Sequence, residues 1–355
     1  MTTEQSGGTP VPTLEAVAAR AGVSRATVSR VVNGSTKVTP EVMAAVTKAI
    51  ADLNYVPNRA ARSLASRRTQ VVALVVPEST AKVFADPFFA SIVQGVALHL
   101  NDTDYTLNMV IASENNPDKT RRYLMGGNVD GALVVSHHSG DHSYAQLGTT
   151  LPVVFGGRPL SDAQNDSYFV DVDNAAGAAV ATRHLIERGR RNIALITGPQ
   201  DMPAGVDRLT GWRRAMDEAG LDTSLIEYGD FSPLSGREAM RRLLERGRPI
   251  DGLFATNDQM AAGAYSAIHD AGLEIPRDIA VVGYDDDYFG VTAMPPLTTM
   301  HQPSIELGET MARVLVRRVR EANPNFDVDT WLAAVPSKEQ WHKDLYREGL
   351  KKAGF

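Results

Sequence analysis

The stretch TLEAVAARAGVSRATVSRVVN, positions 13–33, constrains this chain more than any other. Leu14, Val17 and Ala18 are spaced for one face of a short helix. Ala21-Gly22-Val23 then reads as a tight turn, because glycine takes a left-handed backbone without strain. Ser24 is placed to cap a second helix at about 24–32, with Val28, Val31 and Val32 on its inner face. That leaves Arg25, Ala26, Ser29, Arg30 and Asn33 facing outward. Short polar groups and guanidiniums on one face suit a major groove, where Arg reads guanine and Asn reads adenine. The reading is a helix-turn-helix whose second helix carries recognition. The alternative is an ordinary helical hairpin with a solvated face, and the residues that follow argue against it.

Thr39-Pro40 places an N-cap before a proline at the first helical position and predicts a third helix over about 40–53. After it comes LNYVPNRAARSLASRRT, 53–69. AGVSRATVSRVVNG followed by this run resembles the DNA-binding headpiece and hinge of the lactose-repressor/galactose-repressor (LacI/GalR) family, nearly without gaps over 13–69. The resemblance implies a hinge helix at about 58–69 that enters the minor groove as a pair. By position Leu64 is then its wedge leucine and Asn58 an anchor to the DNA backbone. An apolar wedge costs unstacking energy but kinks the duplex and widens the contact. The same likeness points Arg25, Ala26 and Arg30 toward base edges, with Ser24, Thr27, Ser29, Asn33, Lys37 and Thr39 serving the backbone or flanking contacts.

Charge divides along the chain in the same way. Residues 1–69 carry nine Lys/Arg against four Asp/Glu, and the remaining residues carry 27 against 38. A basic head on an acidic body fits a phosphate-binding module joined to a body that does not itself hold DNA. There is no cysteine, so disulfides, thiolate chemistry and a CxxC zinc site are excluded. Residues 1–12 read as a disordered polar tail without the apolar core of a secretory signal. No apolar run approaches the ~18 residues of a membrane span, and the expectation is a cytoplasmic protein with no membrane contact.

From Val71 the texture changes to short apolar runs alternating with helical stretches. Strands are expected at 71–76, 107–111, 131–135, 152–155, 169–172, 193–197, 252–256 and 279–283. Helices are expected at 87–100, 119–125, 175–188, 207–219, 235–246, 258–271 and 304–321. Alternating βα units with continuous apolar strands imply parallel sheets covered on both faces. The count exceeds one open sheet and predicts two doubly wound lobes. This resembles the periplasmic-binding-protein-like core of the same family. The divisions expected are a headpiece at 13–57, a hinge at 58–69 and a core at 70–335. Within the core the near lobe is 70–171 plus 303–325 and the far lobe 172–302, and a divergent tail follows at 336–355.

Ligands in such folds sit at the carboxyl ends of strands, and polar groups cluster there. By the family resemblance Arg208, Asn257, Asp285 and Gln302 line an effector pocket, with Phe231 stacking on a ligand ring. Asp86, Phe88 and Ser136 are placed on the near-lobe side by a looser match. A guanidinium fork, carboxylates and amides suit a polyol. Competing readings remain: Asn257 and Asp258 as simple helix caps, Phe231 as core filler, Asp285–Asp287 as a solvated loop, His137-His138 as a free loop, and His301 as structural. No metal site is expected, and no cofactor.

Two positions depart from sugar-responsive members: Ala204 where a hydroxyl is common, and Gly157 where some carry an Asp, with Arg158 beside it. The ending SKEQWHKDLYREGLKKAGF also departs and reads as an amphipathic, partly basic helix that packs on the core or supports assembly. The function expected is a transcriptional repressor released from a palindromic operator by a small molecule, most simply a sugar. The alternatives are a purine or phosphorylated ligand, a partner-protein co-repressor, or a sugar-binding protein without a DNA role. An enzyme is not expected, since GxGxxG, a P-loop, HExxH and GxSxG are absent. Paired hinge helices imply a homodimer, and the tail lacks the heptad repeat of a tetramer helix.

Overall fold

The computed structural model describes residues 12–32, 37–56, 68–112, 117–139, 147–148, 150–160 and 167–321, and the chain divides into two compact units at Thr69/Gln70. Among its described residues the first unit holds three short helices, α1 (Leu14–Ala21), α2 (Arg25–Val32) and α3 (Pro40–Asp52). Thr13 caps α1, its Oγ1 accepting from Ala16 N at 3.2 Å. Gly22 ends it at φ 66°, in the left-handed region expected of it. Ser24 Oγ accepts from Thr27 N at 3.1 Å and caps α2. Thr39 holds the N-cap position of α3 but makes no side-chain capping bond; its hydroxyl is engaged by the Glu41 carboxylate. Val17, Val28, Val46, Ala49 and Tyr55 form the small core, with Leu14, Val31 and Ile50 packed around it.

The second unit is α/β with two five-stranded sheets. The near-lobe sheet contains β1 (Val71–Val76), β2 (Thr106–Ile111), β3 (Gly131–Val135), β4 (Val153–Gly156) and β5 (Tyr168–Val170), ordered β2-β1-β3-β4-β5. The far-lobe sheet contains β6 (Ile193–Thr197), β7 (Ile226–Tyr228), β8 (Gly252–Ala255), β9 (Ala280–Asp285) and β10 (Thr298–His301), ordered β10-β9-β8-β6-β7. Every pairing is parallel. The runs VVALVV, GALVV, IALIT and GLFA are buried at every position, as strands covered on both faces must be.

The covering helices of the near lobe are α4 (Thr80–Ala85), α5 (Pro87–Leu100) and α6 (Pro117–Met125). Those of the far lobe are α7 (Asn174–Glu187), α8 (Pro203–Glu218), α9 (Pro233–Glu245), α10 (Asp258–Asp270) and the short α11 (Tyr288–Thr292). Helix α12 (Ser304–Glu321) returns to the near lobe, where Leu307, Met311 and Leu315 join the core of β1 and α5. Close helix pairs are made possible by glycine. A Cβ on Gly95 would meet Ile305 O at 1.9 Å across α5–α12, and one on Gly263 would meet Pro233 O at 1.8 Å across α9–α10.

Several elements differ from the sequence expectation. Helix α8 starts at Pro203, four residues before the expected 207. Its first turn contains Gly205, which breaks the apolar period but is required because a Cβ there would lie 2.0 Å from Pro199 O. The short elements α4, β7, α11 and β10 were not anticipated, being too brief to show a period. Of the expected hinge at 58–69, residues 58–67 lie outside the described residues, as do the tail at 336–355 and positions 322–325 of the expected near lobe.

Candidate functional site

In the first unit, α2 turns Arg25, Ala26 and Arg30 to solvent, while Thr27 and Ser29 are half-buried. Ser24 and Thr27 hold each other, with hydroxyls 2.9 Å apart. Arg25 Nε lies 3.2 Å from Glu15 Oε1; both side chains are more than half exposed, so water and salt screen the pair. Lys37 and Thr39 are exposed. Asn33, Asn58 and Leu64 lie outside the described residues.

In the second unit, the carboxyl ends of the two sheets face one cavity of about 740 Å³, its open mouth included. The structure brings Arg208, Phe231, Asn257, Asp285 and Gln302 from the far lobe and Asp86, Phe88 and Ser136 from the near lobe to this cavity. The far wall is organised around Arg208 on α8, which is only 3% exposed. Its guanidinium donates to Asn174 Oδ1 at 2.9 Å, to Thr256 O at 2.5 Å, to Asp285 Oδ1 at 3.3 Å and to Gln302 Oε1. Its flat face lies 3.7 Å from the Tyr284 ring centroid. Asn257 is both a cap and a cavity residue. Its Oδ1 accepts from Met260 N and its Nδ2 donates to Phe231 O, each at 2.9 Å. Phe231 leans on Gly198, where a Cβ would fall 2.1 Å from the ring.

Backbone strain gathers here. Ser136, Phe231 and Asp285 have φ of 59°, 73° and 111°, a region that favours glycine. Non-glycine residues stay there only when the surroundings hold them, which is a recurrent mark of binding sites. Asp258, read from sequence mainly as a cap, instead buttresses the wall: its carboxylate accepts from Thr299 Oγ1 at 2.6 Å and Asp287 N at 3.0 Å. Asn257 occupies the cap position.

The lining is acidic. Asp86, Asp171 and Asp285 face the cavity, and burial raises the pKa of each, that of Asp285 well above the usual carboxylate range despite Arg208. Burial also lifts Asp258, behind the wall, to about 7. The lining cations, Lys82 and Arg208, are already engaged by Glu78 (2.7 Å) and by Asp285. The cavity suits a neutral ligand with many hydroxyls, and Phe88 and Phe231 offer apolar faces for a ring.

The reading of His137-His138 as a free loop is corrected. His137 is 5% exposed, with its ring 5.1 Å from that of Phe155 and its side chain at the cavity. His138 Nδ1 lies 2.8 Å from Asp201 Oδ2, and its Nε2 lies 3.4 Å from Glu78 Oε1. His301 is on β10, 3.0 Å from Asp286. Sequence reasoning missed Asn174, Asp171 and Lys82. Asp171 follows β5 directly and was read as part of the strand 169–172, and Asn174 opens α7 with its side chain turned to Arg208. Lys82 belongs to α4, whose only local signal was the Ser79 cap. Ala204 and Gly157, singled out as departures, do line the cavity. Among the described residues no cluster of His and carboxylates could hold a metal, and no helix is long and apolar enough to cross a membrane.

Comparison with known proteins places this geometry among regulators. The family described as "Bacterial regulatory proteins, lacI family" matches residues 13–58, and "Periplasmic binding protein-like domain" matches 182–332. The chain is 48% identical to the HTH-type transcriptional regulator CelR of Thermobifida fusca, over 87% of this chain and 92% of that protein. Among solved structures it is similar to a CelR–cellobiose complex, at 45% identity and TM-score 0.70, covering 88% of this chain and 94% of that one. It is also similar to the lac repressor dimer bound to operator and an anti-inducer, at 28% identity and TM-score 0.78 with the same coverage.

Proposed function

Because the chain belongs to the lacI family of bacterial regulatory proteins, we propose that it is a cytoplasmic, homodimeric, sequence-specific DNA-binding repressor, without enzymatic activity, whose operator is released when a neutral sugar fills the cleft. Residues 13–57 serve as the headpiece, 58–69 as the hinge and the two lobes as the effector-binding core. On α2, Arg25, Ala26 and Arg30 meet base edges, and Ser24, Thr27, Ser29, Asn33, Lys37 and Thr39 hold the backbone or its flanks. Asn58 anchors the hinge and Leu64 enters the minor groove.

The observation that carries the effector reading is the cavity: an acidic, amide-rich lining between two aromatic faces, with its cations already engaged. Sugar hydroxyls both donate and accept, so they match carboxylates and amides together. A phosphate would meet Asp86, Asp171 and Asp285 without an uncommitted cation, which disfavours the phosphorylated alternative. A structure 45% identical in sequence is described as a complex with cellobiose, a neutral disaccharide of this chemistry.

A thermal-shift panel tests this. Cellobiose and other neutral mono- and disaccharides are compared with sugar phosphates, purines and nucleosides. A ligand at ~100 times its Kd adds about 2.7 kcal/mol. Stabilisation by a neutral sugar, with loss of operator affinity in a fluorescence-anisotropy titration, is the expected outcome. Stabilisation by purines or phosphates alone would overturn the polyol reading and leave the DNA reading standing.

A further inference from the structure

At one rim of the cleft the lobes are tied by side chains rather than by chain crossings. The end of β3 continues into Ser136-His137-His138-Ser139 on the near lobe, and the loop after β6 carries Asp201 on the far lobe. His138 Nδ1 meets Asp201 Oδ2 at 2.8 Å, and Ser139 N donates to Asp201 O at 2.8 Å. The other ring nitrogen faces Glu78 Oε1, which also accepts from Lys82 Nζ and Ser136 Oγ, each at 2.7 Å. Beside this, Arg158 at the end of β4 forms a two-pronged pair with Asp207 on α8, its Nε donating at 2.9 Å. Both ties span from the near lobe to the segment 201–207, alongside the cavity.

We propose that His138 is a positioning residue that clasps the cleft shut through Asp201, so that retention of the effector depends on the charge of this imidazole. The arrangement calls for an imidazolium. With both ring nitrogens facing carboxylates, only the doubly protonated ring donates to both. Its surroundings agree: the Glu78 hydrogen bond, opposed by burial and aided by Asp201, raises the pKa of His138 to about 9. Glu78 is pushed up by burial but held down to about 2 by His138, Lys82 and Ser136, so it remains charged throughout the working range.

The sign follows from which partner is lost on opening. Glu78 is on the same lobe as His138 and stays with it, whereas Asp201 leaves with the far lobe. The imidazolium therefore has a higher pKa in the clasped form than in the open one. Protonation favours closure at low pH, and the contribution is lost as pH rises through about 9. Arg158–Asp207 does not titrate in this range and is a pH-independent second tie.

The test uses the full chain, which has no cysteine of its own. Dyes on Asp102→Cys and Asp217→Cys, exposed positions on the near and far lobes, report the interlobe distance from pH 6 to 9.5, with labelled chain diluted in unlabelled. The distance is read without ligand and with cellobiose as probe. The expected result is opening as pH rises and cellobiose affinity falling about five- to tenfold, the low end of typical site couplings because Glu78 is retained. His138→Gln should be open and pH-independent. His138→Arg, charged throughout, should restore closure without pH dependence, a rescue that a packing role would not give. Identical pH profiles for wild type and His138→Gln, or no distance change with pH in either state, would overturn the clasp. Because the proposal rests on the cleft being the effector site, the ligand-free distances decide it separately: no cellobiose binding at any pH would count against the effector reading alone.

Discussion

Arg25 on α2 has a side chain 74% exposed and pairs with Glu15, whereas Arg208 on α8 has a side chain 4% exposed and donates to four acceptors while stacked on Tyr284. The first is exposed and, on the reading proposed above, free to meet DNA. The second is already spent in organising a wall, and its removal strands buried acceptors. Exposed arginines can be exchanged at little cost to the fold. Buried ones cost the fold first and affect binding through the shape they maintain.

The sharpest way to break this comparison is to delete both. Arg208→Leu should lower the unfolding free energy of the core by about 3–5 kcal/mol, because it strands several buried acceptors, each costing about 1–3 kcal/mol when left unsatisfied. Arg25→Leu should change stability by less than about 0.5 kcal/mol. Urea denaturation of the two variants compares them directly, and a loss below about 1 kcal/mol for Arg208→Leu would show the wall to be held by other contacts.

Asp258 sharpens the same point through pH. Its native pKa of about 7 lies above its ordinary value of 3.8, so the native state binds the proton more tightly between those limits. Stability conferred by this group is full below about pH 4 and falls as pH rises toward 7, by a few kcal/mol at about 1.4 kcal/mol per unit. Asp258→Asn should make the stability–pH slope over that window shallower. An unchanged slope would show the carboxylate to be ionised in the native state.

On the exposed side, Arg25→Ala should weaken binding to the operator by about 1–3 kcal/mol and relax preference at one base pair, while leaving random-sequence DNA nearly untouched. Equal weakening on both would mean that Arg25 faces phosphate. The smallest effect is expected of Arg317→Ala on α12. Its 2.8 Å pair with Glu321 is largely solvated, with the Arg317 side chain 81% exposed. The variant should unfold at the same temperature as wild type in a thermal melt.

The headpiece was legible because its information is local. Val17 and Val28 declare the buried faces of α1 and α2 by spacing, Gly22 declares the turn, and what remains must face outward. The strands of the core were legible for a similar reason, since an unbroken run such as VVALVV has few other homes. The far wall was reached through strand-end residues that match a family pattern. Lys82 was missed because its helix is too short to show a period, Asp171 because it was read inside the strand 169–172, and Asn174 because its position before the expected helix gave no sign of its bond to Arg208.

The sequence by itself determined the helix-turn-helix, the two-sheet core and the position of a polar site at strand ends. These follow from periodicity, capping and the burial of apolar runs, all written in neighbouring residues. Only the tertiary structure decided that Asp258 buttresses instead of capping and that His137 is buried. It likewise decided that His138 reaches Asp201, 63 positions away, across the cleft. Such pairs depend on how two lobes approach each other, a relation between distant segments that no local pattern of residues encodes.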